Sequence, residues 1–95
     1  MASVMVEQME RSEARIPAAN VRVTVDDGGR PRSYYLHVTE SAVTVVYDPA
    51  NRRHLGKTFH GRDEAAVARE LARGYKRDGA TLADLTQQAR ALLAG

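Results

Sequence analysis

"VTVVYDPANRRHLGKTFHGRDEAAVARELA", residues 43–72, changes its hydrophobic period halfway along. Val43, Val45 and Tyr47 alternate with Thr44, Val46 and Asp48, the two-residue period of a strand. Val67 and Leu71 stand four apart, the spacing of one helix face, and Tyr75 continues it. Between the two patterns, Asp48-Pro49-Ala50-Asn51 has Pro at the second position of a turn. Residues 54–60 then read as a returning strand. Strands first and helices after them is the element order of an α+β fold.

Working outward, the two-residue period also holds upstream. Val21, Val23 and Val25 alternate with Arg22, Thr24 and Asp26. "DDGGRP", residues 26–31, is a turn in which glycines supply positive φ and Pro31 breaks the ladder. "SYYLHVT", residues 33–39, is the next strand. The expected fold is α+β: an antiparallel four-stranded meander, with strands over about 20–26, 33–39, 42–48 and 54–60, packed on one face by helices over about 63–77 and 82–93. Asp63 and Glu64 suit the positive end of the first helix dipole, and Lys76 and Arg77 the negative end. Gly79 reads as its stop and Gly74 as a weak last turn. Thr81 and Asp84 read as a capping box for the second helix, with Leu82, Leu85, Ala89 and Leu92 as its apolar stripe. Residues 1–17 stand apart from this domain, which covers 18–95. Met5 and Met9 one turn apart, with Glu7 and Arg11 as an i,i+4 pair, suggest a short N-terminal helix; a disordered tail is the alternative.

At 95 residues the chain fits one domain with one modest core. It has no cysteine, so neither a disulfide nor a thiolate nucleophile or metal ligand is available. No apolar run approaches the roughly 20 residues of a membrane helix. Glu7, Glu10 and Glu13 occupy the place of a signal-peptide core. The expectation is a cytoplasmic protein with no membrane partner.

Charge is unevenly spread. Residues 1–29 sum to −2, residues 30–62 to +4 and residues 63–95 to zero. A polyanion would therefore be met in the middle third. Twelve of the fourteen basic residues are Arg, and Ala is abundant, a composition that GC-rich coding also produces without selection for nucleic acid.

Gly56-Lys57-Thr58 raises the question of a phosphate-binding loop. That motif needs Gly five residues before Gly56, where Asn51 stands, and a helix directly after the Thr. Phe59-His60-Gly61 follow instead, so this is read as a strand, with Lys57 between Leu55 and Phe59 protecting a sheet edge. His54 and His60 lie six residues apart on one strand, roughly 20 Å, too far to share a metal ion. With no nucleophile elbow, zinc motif or dinucleotide loop, no enzyme, metal or cofactor is expected.

The face of the sheet turned from the helices would carry Arg22, Thr24, Tyr35, His37, Thr39, Thr44, Val46, Thr58 and His60. In a meander the first and third turns fall at one end, so Arg30, Arg32, Arg52 and Arg53 would gather there, with Asp26, Asp27 and Asp48 offsetting part of their field.

Residues 43–72 resemble the hairpin and helix of the AP2-like domains that serve as arm-site DNA-binding modules of phage integrases. Lys57-Thr58-Phe59 and Glu64-Ala65 carry the match. The resemblance implies a sheet lying in the DNA major groove, with Arg52, Arg53 and Lys57 as contacts. The full set of expected nucleic-acid contacts is Arg22, Arg30, Arg32, Tyr35, His37, Arg52, Arg53, Lys57 and Arg62. The expected function is a small non-enzymatic nucleic-acid-binding protein. The alternative is a small phage- or bacterium-encoded protein-interaction factor (inhibitor, accessory or antitoxin-like) that works as a homodimer or on another protein.

Overall fold

The structure, a computed structural model, describes residues 3–48 and 56–95. Its elements are β1 (Ser3–Ser12), β2 (Ala18–Asp26), β3 (Pro31–Val38), β4 (Ala42–Tyr47), β5 (Lys57–His60), α1 (Glu64–Gly74) and α2 (Gly79–Ala94). The strands form one sheet in sequence order, each antiparallel to its neighbours. Both helices cover the same face. Val21, Val23 and Val25 of β2, Tyr34, Leu36 and Val38 of β3, and Val43 and Val45 of β4 are buried there against Val67, Leu71, Leu82, Leu85 and Ala89. The alternation places Val21, Val23, Val25, Val38, Val43 and Val45 on the packed face, where their stiff side chains fit a pleated surface.

The sheet has five strands rather than four. Residues 3–12 form β1, neither a helix nor a disordered tail. The cause of the misreading is a bulge between Val6 and Gln8. Val4 and Val6 lie opposite Val25 and Val23, and after the bulge Met9 and Arg11 lie opposite Val21 and Ala19. One face is thus spaced 4, 6, 9, 11, and the three-residue step breaks the alternation that identifies a strand. The same spacing imitates a helical repeat. Arg11 then reaches α2, where its Nη1 donates to the Leu92 and Leu93 carbonyls at 3.4 and 3.3 Å, a cation at the negative end of that helix.

The helix boundaries shift as well. Asp63 caps α1, accepting from Ala65 N at 3.0 Å and Ala66 N at 3.4 Å. α1 ends at Gly74, three residues before the expected end. α2 starts at Gly79, three residues before its expected start, so Thr81 lies inside the helix and forms no capping box with Asp84. Gly79 opens the second helix instead of closing the first. Leu93, not Leu92, packs against the core, and Leu92 stays exposed.

Thr58 pairs with Thr44 and Lys57 with Val45 across the β4–β5 ladder, and α1 begins only at Glu64. Lys57-Thr58 is therefore strand, as the spacing requires. Leu55 and the strand residues expected before it lie outside the described residues.

Candidate nucleic-acid interface

The open face of the sheet holds Arg22, Tyr35 and His37, as their parity requires. The Arg22 guanidinium carbon stands 5.6 Å from the Tyr35 ring centroid. Asn20 Oδ1 accepts from the Tyr35 hydroxyl at 2.8 Å and from His37 Nδ1 at 2.9 Å. The Thr44 and Thr58 hydroxyls bond each other at 2.9 Å. Much of this polar face is thus satisfied internally. β1 adds an unforeseen element, because Glu7 accepts from Thr24 and Glu10 lies opposite Asn20. Among the described residues, the Glu7 and Glu10 carboxylates therefore face the Arg22 guanidinium, and Asp48 lines the same hollow as Glu7 and Arg22. That balance opposes a phosphate backbone.

The opposite balance holds at one end of the sheet. The β2–β3 turn lies there, and so does the α1–α2 connection, because a helix that follows β5 must run back along the sheet to the end where β5 began. Arg30 is exposed in the turn, whose Gly28 and Gly29 have φ of 65° and 92°. Arg73, Lys76 and Arg77 arrive from the end of α1. Together with Lys57 they rim a cleft of about 530 Å³ to which Tyr34, Tyr47 and Tyr75 also contribute. Tyr34 holds the aromatic group together: its ring is 5.2 Å from Tyr47 at 56°, and 5.8 Å from Tyr75 at 90°. Phe59 supports Tyr75 from behind at 6.2 Å.

Three of the acidic residues at this end, Asp26, Asp27 and Asp78, are engaged by neighbouring groups. Asp26 Oδ1 accepts from Gly29 N at 2.8 Å within the turn. Asp78 is taken by Arg32, and Asp27 is shared between Arg32 and, at 4.0 Å, Arg77. Arg32 Nε and Nη2 reach the two Asp78 oxygens at 2.7 and 2.9 Å, and Nη2 reaches Asp27 at 2.7 Å. The Tyr34 hydroxyl also donates to Asp78. Asp78 is 3% exposed and the Arg32 side chain 13%. The Arg32 bonds hold the Asp78 carboxyl below its ordinary value against the opposing effect of burial, and Tyr34 adds to this. Arg32 is correspondingly held above its own ordinary value by Asp78 and then Asp27. Tyr34 is raised, mainly by burial and then by the Asp78 carboxylate. Burial also raises Tyr75.

The sequence-derived contacts thus separate into groups. Arg22, Tyr35 and His37 share the open face. Arg30 and Lys57 come to the turn end. Arg32 is there too, but it serves as the buried half of an ion pair and is corrected from ligand contact to structural clamp. Arg62 sits at the opposite end, 3.8 Å from Glu40, because it follows the far end of β5. Arg52 and Arg53 lie outside the described residues. Lys76 and Arg77 were read only as charges answering the helix dipole, Arg73 was given no role, and Tyr47 and Tyr75 were read only as core. The available signal was chain direction: the last turn of α1 must return to the turn end. Among the described residues no group of three His, Asp or Glu side chains is placed to hold a metal ion. Among them, too, no helix is long and apolar enough to cross a membrane.

No family model, no curated protein and no solved structure matches this chain.

Proposed function

We propose that this chain is a cytoplasmic, non-catalytic nucleic-acid-binding protein whose contact surface is the turn end of the sheet together with the α1–α2 connection. One observation carries the reading: Lys57, Arg73, Lys76 and Arg77 rim an aromatic cleft, while at the same end Asp78 is bound by Arg32 and Asp27 is shared between Arg32 and Arg77. Cations presented beside acids that are already paired retain attraction for a phosphate. The resemblance of residues 43–72 to AP2-like modules points to the same class of ligand. It would put the open sheet face on DNA, whereas Glu7 and Glu10 favour the turn end.

Fluorescence anisotropy with labelled oligonucleotides tests this. Four phosphate contacts give a fall of log K with log salt of about 3 on a single strand and somewhat more on a duplex. The double charge reversal Lys76→Glu/Arg77→Glu should remove most of the binding and flatten that slope. Affinity that is indifferent to salt, or unchanged in the double variant, contradicts the reading.

A specific observation also favours a protein partner. β1 is an edge strand, and its Val4, Met5 and Val6 are 47%, 65% and 43% exposed. An apolar unpaired edge invites another strand. Pairing of two copies through β1 should appear as concentration-dependent dimerisation in sedimentation, abolished by Met5→Lys. A wild-type chain that stays monomeric at high concentration removes this second reading.

A further inference from the structure

We infer that two copies of this chain join through residues 3–7 of β1, antiparallel about a two-fold axis at Met5, so that two five-stranded sheets merge into one continuous sheet. The inference rests on the β1-edge reading above and specifies its partner, register and extent.

The direction of the unpaired backbone follows from the ladder. Asp48 N donates to Ser33 O, so Ser33 turns its peptide groups toward β4. In an antiparallel sheet that direction reverses at each successive residue, and hydrogen-bonded partners face each other. Tyr34 therefore turns toward β2, and its partner Val23 toward β3. Thr24 turns toward β1, and its partner Met5 toward β2. Val4 and Val6, on either side of Met5, are left with N–H and C=O groups aimed out of the sheet. Groups so arranged are met by another strand.

The side chains of the same two residues are also uncovered. Val4 and Val6 lie on the helix-covered face, opposite the buried Val25 and Val23, yet each remains nearly half exposed. α2 flanks them with Ala80, Thr81, Asp84 and Gln88 across a shallow, open hollow and does not reach over them. Farther along β1 the same face is closed, because Met9 packs against the core and Arg11 bonds the end of α2. The packed layer is thus complete over the second half of β1 and open over the first.

What protects a sheet edge sets the extent. Bulges and charged side chains do so. The bulge at Glu7, then Glu10 and Arg11, protect the second half of β1. Ser3–Val6 has no charge, no proline and no bulge. The other edge strand, β5, is four residues long and carries Lys57.

The partner is a second copy because the segment is its own complement. Val4-Met5-Val6 reads the same in both directions. About an axis at Met5, Val4 of one copy faces Val6 of the other as a hydrogen-bonded pair, Met5 faces Met5, and Glu7 faces Ser3. No like charges stand opposite each other, and the valines of both copies lie together on the face the helices occupy. Pairing along the whole strand would instead set Val4 against Arg11 and Met5 against Glu10, with both bulges at the joint. A five-residue ladder buries less than the roughly 1,200 Å² of a lasting interface, so the dimer is expected to be weak, with Kd on the order of micromolar.

The chain has no cysteine, so a single introduced thiol reports the register. Across a non-hydrogen-bonded antiparallel pair the Cα atoms stand about 4.5 Å apart, within reach of a disulfide. Sedimentation of the full chain should show a monomer–dimer equilibrium in the micromolar range. Under oxidised glutathione, Met5→Cys should form the disulfide-linked dimer at least about tenfold faster than Gln8→Cys at the same concentration, since Gln8 would lie roughly 20 Å from its copy. A thermal melt of each variant confirms the fold. A wild-type chain that stays monomeric overturns the inference together with the β1-edge reading. Dimerisation without faster cross-linking through Met5→Cys overturns the register and the axis, and leaves the edge reading to the Met5→Lys variant. Neither result bears on nucleic-acid binding, which the salt dependence tests separately.

Discussion

Asp78→Ala is expected to lower folding stability by about 3 kcal/mol, a fall in melting temperature of roughly 15 °C for a domain of this size. Asp78 is nearly inaccessible and joins three parts of the chain: Arg32 and Tyr34 of β3, Asp27 of the β2–β3 turn through their shared guanidinium, and the start of α2. Its backbone carbonyl meanwhile accepts from Leu82 N at 2.9 Å, the first bond of α2. Truncation leaves a phenol without its acceptor and a guanidinium with one carboxylate in place of two. The cost of breaking a buried pair is largely the cost of stranding its other half. Asp78→Asn, which retains an acceptor for Tyr34, should fall between the wild type and the alanine variant. A melting temperature within a few degrees of wild type for Asp78→Ala would mean that the network behaves like an exposed pair of negligible net value.

The same network sets a pH dependence whose sign follows from the depressed carboxyl. In the folded chain Asp78 gives up its proton more readily than in the unfolded chain. Its contribution is therefore complete above the ordinary carboxylate range and is lost as pH falls through the depressed value. The stability gap between wild type and Asp78→Asn should narrow on acidification from about pH 5 downward. Tyr34 and Tyr75 act at the other end. Their raised values make the folded state hold the phenol proton, so their contribution is present below about pH 10, the ordinary tyrosine value, and is lost above it.

Alternation was enough to place the three central strands and their buried residues, because each has a strict two-residue period with no interruption. The helices were equally visible from Val67 and Leu71 and from Leu82, Leu85 and Ala89. β1 was hidden by a single extra residue at Glu7, which turned a strand pattern into a mixed one. That omission carried into the candidate site: with β1 absent, Glu7 and Glu10 were absent from the open face, and the face looked suited to DNA. The turn end was half legible. Turn positions gave Arg30, and parity gave Lys57, but the contribution of α1 requires knowing where a helix ends in space. Local propensity explains Lys76 and Arg77 fully through the helix dipole, so nothing in their own neighbourhood marks them as lining the cleft. Arg32 illustrates the converse. Its place among other arginines suggested a shared role, yet a carboxylate 46 residues later in the chain claims it, a pairing that no local pattern encodes.

Gly79→Ala is expected to destabilise by about 3 kcal/mol, whereas Gly74→Ala, five residues earlier, should be neutral or stabilise by up to about 1 kcal/mol. The two glycines look interchangeable in sequence, one near the end of α1 and one just past it. Their surroundings differ in kind. A Cβ on Gly79 would lie 2.5 Å from Ala72 Cα, 2.8 Å from the Leu71 carbonyl oxygen and 2.9 Å from Ala72 N. All three are backbone atoms, so no rotamer change relieves the overlap. α1 and α2 must move apart where they are joined, and Leu71 and Leu82, both fully buried, lie on either side of that junction. Close-packed interiors respond to such intrusion with backbone shifts and strained side chains. On Gly74 the added methyl would meet only the Phe59 ring, at 3.6 Å, an ordinary contact, and would relieve the entropic cost of glycine in a helix. Paired melts of the two variants therefore read the helix junction against an internal control. Opposite signs follow from a hairpin held at backbone contact by Gly79. Equal melting temperatures would show that the junction has room, and with it the fixed approach of Arg73, Lys76 and Arg77 to the cleft would lose its structural cause.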